Sequence, residues 1–400
     1  GVTEMSDRNC WVWLLEVMGS HDIRSGHVIE KYGNVEDAYL AIKDGKEKSL
    51  SKSENKNAKK IRIEQSEKII EQCERTGVDI ITIEDEKYPN RLKGIYNPPI
   101  ILFCMGDISF IDNEVAITVV GTRKPSHYSL QVAREICGNL ANIGAVLVSG
   151  FALGIDSVAH GEALSHREKT VAVLGCGIDY DYPTSNTKLK RIIAKNGAVI
   201  SEFLPGTPPL GPNFPQRNRI LSGLSLGTLV IEAHKRSGAL ITAELSIQQG
   251  RDLFCIPPAD LFDSRYSGVI RFLRDGAIPV FSHLDILYEY YENFSHKLTA
   301  SNPYGDYSIT PQESSVFNVN EKSSSKKQSK KKTRRAKKEI PYKDLDEDQT
   351  KIVKLLSDRS YLADELSVLL EMPIDMVLTA MTELEIMGIV NAESGQRYSI

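Results

Sequence analysis

Between residues 115 and 258, six short apolar runs alternate with helix-length segments, and this alternation constrains the fold more than any other feature. The runs are VAITVVG (115–121), AVLVSG (145–150), TVAVLGCG (170–177), AVISEF (198–203), TLVIEA (228–233) and DLFCIPP (252–258). They show no period-2 switch between apolar and polar residues, so each is expected to be covered on both faces, as parallel strands beneath helices are. Segments such as SLQVAREICGNLANIG and GALITAELSIQQG lie between them and read as the covering helices. The predicted class is therefore α/β, a doubly wound, Rossmann-like parallel sheet.

At 400 residues the chain exceeds one ordinary core, and its pattern divides it further. Residues 1–78 read as a small helical domain and 79–298 as the extended Rossmann-like domain. Residues 299–342 read as a disordered basic linker. The last segment, 343–400, has the three helices and terminal hairpin of a winged helix. The net charge of −4 conceals an uneven layout, because KSSSKKQSKKKTRRAKK (322–338) holds ten Lys/Arg and no acid. A strongly basic segment on an acidic body suits a polyanionic partner, although self-repulsion also serves simply to keep a linker extended. The six cysteines are scattered, with no CxxC pair, which argues against a disulfide framework and against zinc. No apolar run is long enough to cross a bilayer, and the first residues lack the pattern of a signal peptide. The expectation is a cytoplasmic protein with no membrane contact, no metal and no cofactor.

In an open α/β sheet, ligands bind beyond the carboxyl ends of the strands. The first loop there offers Gly121, Thr122, Arg123 and Lys124. The second offers Ser149, Gly150 and Gly154, whose backbone N–H groups could approach an anion. Tyr180 and Tyr182 follow the third strand. Phe214, Arg217, Asn218 and Arg219 follow the fourth. Lys235, Arg236, Ser237 and Gly238 follow the fifth. Cations on several loops of one margin fit a run of phosphates better than a single pyrophosphate, and Phe214 would offer a face on which a base can stack. Arg217 and Arg219 have a competing use, since either could pair with Glu202 or Glu232. Asp156 and His160 share one helix face, but a packed pair is the plainer reading, and Asp179 with Asp181 lacks the further carboxylates a metal would need. LGCGIDY departs from a dinucleotide fingerprint at Tyr180, and no GxxxxGK[ST] loop is present.

Taken together, VAITVVGTRKPSHYS, VSGFALGIDSVAH, VAVLGCGIDYDYP, SEFLPGTPP, FPQRNRILSGLS and EAHKRSGALITAELS resemble the DNA-processing protein A (DprA/Smf) family, with ordered matches from about Asp85 to Leu287. The resemblance implies a non-enzymatic protein that binds and protects single-stranded DNA, helps load the RecA recombinase in natural transformation, and forms a homodimer through its Rossmann domain. The family's phosphate-gripping Gly-Ser-Arg motif falls on Gly121, Thr122 and Arg123, with Thr in place of Ser. Its stacking aromatic falls on Phe214 and its basic residue before the SG turn on Lys235 or Arg236. Phe151 departs from the small residue usual there. The alternative is a nucleotide-hydrolysing enzyme on a Rossmann scaffold, with Asp156 and Glu232 as its acids. The winged-helix segment 361–396 contains no Lys or Arg and seven acids, namely Asp364, Glu365, Glu371, Asp375, Glu383, Glu385 and Glu393. Such a surface repels phosphate, so a protein contact is expected there instead of duplex DNA.

Overall fold

The computed structural model describes residues 7–294, 297–298 and 345–399, apart from 358, 371, 388 and 394–396. The chain forms two compact units, Gly1–Ala300 and Ser301–Ile400. The first begins with five helices: α1 (Asp7–Met18), α2 (Arg24–Tyr32), α3 (Val35–Lys43), α4 (Lys52–Lys60) and α5 (Ile63–Thr76). Helix α5 stops at Gly77, which takes the left-handed conformation (φ 68°) that a residue with a Cβ adopts at a cost. Helix α1 is buried almost all round, Trp11 and Trp13 included.

The chain then enters a sheet through β1 (Asp79–Thr82), α6 (Asn90–Lys93) and β2 (Ile101–Gly106). Alternation follows as expected: β3 (Ala116–Val120), α7 (His127–Asn142), β4 (Val146–Ser149), α8 (Ile155–Ser165), β5 (Thr170–Val173), α9 (Thr187–Asn196) and β6 (Ala198–Ser201). It continues through α10 (Asn213–Leu224), β7 (Gly227–Val230), α11 (Gly238–Gln248), β8 (Asp252–Cys255), α12 (Ser267–Arg274), β9 (Ile278–Pro279) and α13 (His283–Phe294). The nine strands lie in the order β1-β2-β6-β5-β4-β3-β7-β8-β9. From β6 across to β9 all neighbours are parallel, while β1 and β2 join the β6 edge antiparallel. Of these two strands only β2 runs against the parallel core, and β1, antiparallel to β2, runs with it.

Burial explains the missing alternation in the strand sequences. Ile117 and Val119 of β3 pack into the core on one face, while Ala116 and Val120 pack into the core on the other. Each fully buried aliphatic side chain contributes roughly 1.5–3 kcal/mol, so a polar residue on either face would be costly. The polar exception in β3, Thr118, donates to the Leu221 carbonyl at 2.7 Å and so ties the strand to α10. A separate cluster joins the first helices to the sheet, with Trp11, Trp13 and Val28 packed among Ile80, Ile101 and Phe103.

The strand order also sets where a ligand can enter. From β3 the chain winds outward through β4, β5 and β6, then returns along α10 to place β7 on the other side of β3. The loops after β3 and β7 therefore diverge to opposite faces and leave a crevice between them, where ligands of such sheets bind.

The second unit contains α14 (Glu347–Leu356), β10 (Tyr361–Leu362), α15 (Ala363–Leu370), α16 (Ile374–Ile386), β11 (Asn391–Glu393) and β12 (Arg397–Ser399). Three helices and a small antiparallel sheet, ordered β10-β12-β11, make the winged-helix arrangement expected of it. Its core is Ile352, Val353, Leu366, Val377, Met381 and Leu384. The linker and its basic run at 322–338 lie outside the described residues. Among the described residues no helix is long and apolar enough to cross a membrane.

Candidate nucleic-acid interface

The loop after β3 is shaped by its contact with α8. A Cβ on Gly121 would sit 2.6 Å from Ile155 Cγ1. Gly154 has φ 79°, and a Cβ there would lie 2.5 Å from the Thr122 carbonyl oxygen. Both glycines are thus needed by the chain's own packing, which brings the Ile155 amide to donate to Thr122 O at 3.3 Å. The Thr122 hydroxyl oxygen accepts from the Lys124 amide at 3.2 Å. So fixed, the loop leaves the Arg123 and Lys124 side chains exposed.

Across the crevice, the loop after β7 exposes Lys235 and Arg236. Ser237 caps α11 by accepting from the Ala239 amide. Among the described residues, apart from its chain neighbours and its own helix backbone, none lies within 4 Å of where a Cβ on Gly238 would be, so that position stands open to approach. A buried network joins the two loops. Glu232, 3% exposed, accepts from the Ser126 amide at 2.9 Å, and the Tyr266 hydroxyl donates to it at 3.3 Å. The same hydroxyl lies 2.7 Å from Ser126 Oγ and 2.8 Å from Ser129 Oγ. Ser267, one residue further on, accepts from the Lys235 amide. Four exposed cations thus stand on loops whose backbones are laced together below them. The sequence offered Glu232 only as an ion-pair partner or an acid; its role as a tether had no signal, because Tyr266 lies 34 residues away.

Phe214 sits at the start of α10, half-buried, with the Arg123 guanidinium carbon 5.8 Å from its ring centre and Tyr182 at 5.6 Å. A Cβ on Gly175 would strike it at 2.7 Å, so that glycine admits the ring. Beside it lies a small cavity of about 50 Å³, lined by Arg123, Leu174, Cys176, Tyr182 and Phe214 among others. Tyr180 and Tyr182 are both partly exposed on this rim. Their loop is held by Lys190, a buried lysine that donates to the carbonyls of Ile178 (2.7 Å) and Tyr180 (2.8 Å).

Several expected contacts are taken up internally, which corrects the sequence reading. Arg219 is locked in a two-pronged pair with Glu202, both N–O distances 2.6 Å, and donates to Asn97 O as well. Arg217 is 4% exposed and donates to the carbonyls of Gly150 and Val173. Burial lowers its pKa to about 10. Asn218 bridges Arg217 Nε and the Gly238 carbonyl. Ser149 is fully buried and donates to Val119 O at 2.7 Å. The anion seat expected in the loop after β4 is filled by the chain itself: the Asp156 carboxylate accepts from the Ala152 amide at 3.3 Å and is also bonded by the Gly150 amide. Phe151, the unusual residue, adopts φ 60° and is buried against His160.

The groups considered for catalysis are similarly committed. Burial raises the Asp156 carboxyl, with Arg217 opposing. His160 is fully buried. The Thr170 hydroxyl donates to Leu147 O, so His160 Nδ1–H donates to Thr170 Oγ1 at 2.8 Å. Burial first, and then the Arg217 charge, push its pKa down to about 3. Burial pushes the Cys176 thiol up to about 11. Asp179 accepts from the Gly206 amide and Asp181 pairs with Lys190. Among the described residues no group of His, Cys, Asp and Glu is arranged to hold a metal ion.

The family model described as DNA recombination-mediator protein A matches residues 79–291, and that of the DprA winged helix domain matches 336–396. The chain belongs to the DNA recombination-mediator protein A family. DNA processing protein DprA of Bacillus subtilis is 38% identical over 213 residues, which cover 53% of this chain and 71% of the relative. The Streptococcus pneumoniae protein of the same name is 40% identical over 209 residues, covering 52% and 73%. An X-ray structure of the S. pneumoniae protein superposes with a TM-score of 0.63 at 33% identity, covering 70% of this chain and 97% of that one. The matched segment 79–291 contains both laced loops and Phe214, so the crevice lies inside the part that defines the family.

Proposed function

We propose that the crevice between β3 and β7 holds a single strand of DNA. Arg123, Lys124, Lys235 and Arg236 contact its phosphates, and Phe214 stacks on a base. The observation that carries this reading is the pairing of exposed cations with buried lacing. Four side chains free to meet phosphate stand on two loops that Glu232, Ser126 and Tyr266 hold in register, so little order need be imposed when the strand arrives. Gly238 lets the backbone of α11 approach the strand closely. In this reading Arg217, Asn218, Arg219, Ser149, Gly150 and Gly154 shape the crevice without touching phosphate.

The family resemblance adds the larger role: the protein shields single-stranded DNA, works as a homodimer through its Rossmann domain, and delivers the strand to the RecA recombinase in the cytoplasm. It acts as a mediator and not as an enzyme. The hydrolase alternative loses ground because Asp156 and Glu232 are both buried and engaged. The winged helix is proposed to contact protein: Val368, Leu369, Ile374 and Met376 on α15 and α16 are exposed apolar residues, and neither helix carries a Lys or Arg.

Ligand length tests the crevice reading. Titration with oligo-dT of increasing length is expected to give affinity that rises with length and falls steeply with salt, with little preference for sequence. Saturation by a mononucleotide, with no gain from longer strands, would establish an enzyme-like pocket instead.

A further inference from the structure

The N-terminal helices carry a second charged surface, unrelated to the crevice. The stretch 43–62, KDGKEKSLSKSENKNAKKIR, contains eight Lys/Arg and three acids. The structure removes those acids from the balance. Glu47 is 3% exposed and takes its ion pair from Lys31, at 2.7 Å. Glu54, also buried, is paired with Arg24 and closes a capping box with Ser51 at the start of α4. Both partners, Lys31 and Arg24, come from outside the stretch. Asp44 is matched by Lys46 at 2.8 Å. Lys43 is committed as well, donating to the carbonyls of Ala58 and Ile61 at the carboxyl end of α4.

What remains on α4 is Lys52, Lys56, Lys59 and Lys60, all exposed and all without a side-chain partner among the described residues. Lys52, Lys56 and Lys60 follow one another at i, i+4 along a single face, with a rise of about 6 Å between neighbours. Like charges at that spacing repel and weaken a helix. The helix has little packing to offset this, since Glu54 and Ala58 are its buried residues. It is instead held by its caps and by Lys43. The face also lacks an apolar residue with which to enter a lipid surface.

We infer that this stripe of α4 lysines is a second docking surface for the phosphodiester backbone of DNA, engaged when a strand is long enough to reach beyond the crevice. A polyanion laid along α4 removes the repulsion between the lysines and releases counterions. The inference rests on the crevice reading only in taking DNA as the polyanion.

The test uses the full chain with Lys52→Gln, Lys56→Gln, Lys59→Gln and Lys60→Gln together, compared with Arg123→Ala. Two oligo-dT lengths are titrated over a salt series, one that fills only the crevice and one several times longer. The lysine variant is expected to bind the short strand as the wild type does. It should bind the long strand several-fold more weakly, its salt slope reduced by about 0.7 for each phosphate no longer neutralised, or about 2–3 in all. Thermal unfolding should be unchanged or raised. Arg123→Ala should weaken both lengths. Equal long-strand affinity and slope in the lysine variant and wild type would overturn the inference and leave the stripe to an acidic protein. Equal short-strand affinity in Arg123→Ala and wild type would instead overturn the crevice reading.

Discussion

Arg123 and Arg219 carry the same charge and serve loops at the same margin of the sheet, yet one is exposed and the other is sealed against Glu202. The same division separates Lys235 and Arg236 from Arg217. The first set is free to meet a phosphate. The second fixes the ground on which the first stands: Arg217 bonds the carbonyls at the ends of β4 and β5, and Arg219 joins α10 to the end of β6 and to Asn97. Charge alone does not distinguish a ligand grip from an internal strut. What distinguishes them is whether an acid or a carbonyl of the same chain lies within reach.

The comparison breaks most visibly on the buried side. Glu202→Ala strands the Arg219 guanidinium without its partner, and such a loss costs about 3–5 kcal/mol. Urea unfolding should report that drop, while the salt dependence of DNA binding by the folded protein stays as it was. A salt slope that rises instead would show that Arg219, once released from Glu202, reaches the phosphates.

Acid provides a second contrast. Below pH 6.5 the unfolded chain takes up a proton on His160 that the folded chain refuses until about pH 3. Unfolding therefore becomes easier as pH falls through that window, by up to about 1.4 kcal/mol per pH unit from this group. Replacing His160 with Gln should flatten this part of the stability profile, and an unaltered profile would mean that other groups govern it.

The smallest effect on stability belongs to the rim. Lys235→Ala with Arg236→Ala should leave unfolding within about 0.5 kcal/mol of the wild type. The same change should lower the salt slope of single-strand binding by about 0.7 for each phosphate left without its cation. A large loss of stability would show that these side chains are struts too.

Much of this architecture was legible in the residues. Two-sided burial leaves strands without alternation, so the parallel sheet could be read from its apolar runs, and the glycines and basic residues after β3 and β7 marked the crevice. The internal pairings were harder to read. Glu202 was a visible candidate for Arg219, but nothing local chose between a carboxylate and a phosphate. The loop after β4 has the glycines of an anion cradle, and only the fold reveals that Asp156 fills it. Lys190 sits in a helix that reads as amphipathic and basic, yet its ammonium is buried on two carbonyls. Tyr266 ties separate loops together through a hydroxyl whose partners, Glu232, Ser126 and Ser129, are all distant in sequence. For Arg219 and Tyr266 a contact distant in sequence decided the outcome, and local pattern carries no record of it.

The most direct measurement is a salt-series titration of long oligo-dT and a mixed-sequence strand of equal length against Arg123→Ala, with thermal unfolding in parallel. The account predicts an unchanged melting temperature and a similar loss of affinity for both strands, with a shallower salt slope. Undiminished affinity would contradict it, and a loss confined to one of the two strands would mean that Arg123 reads bases and does not grip the backbone.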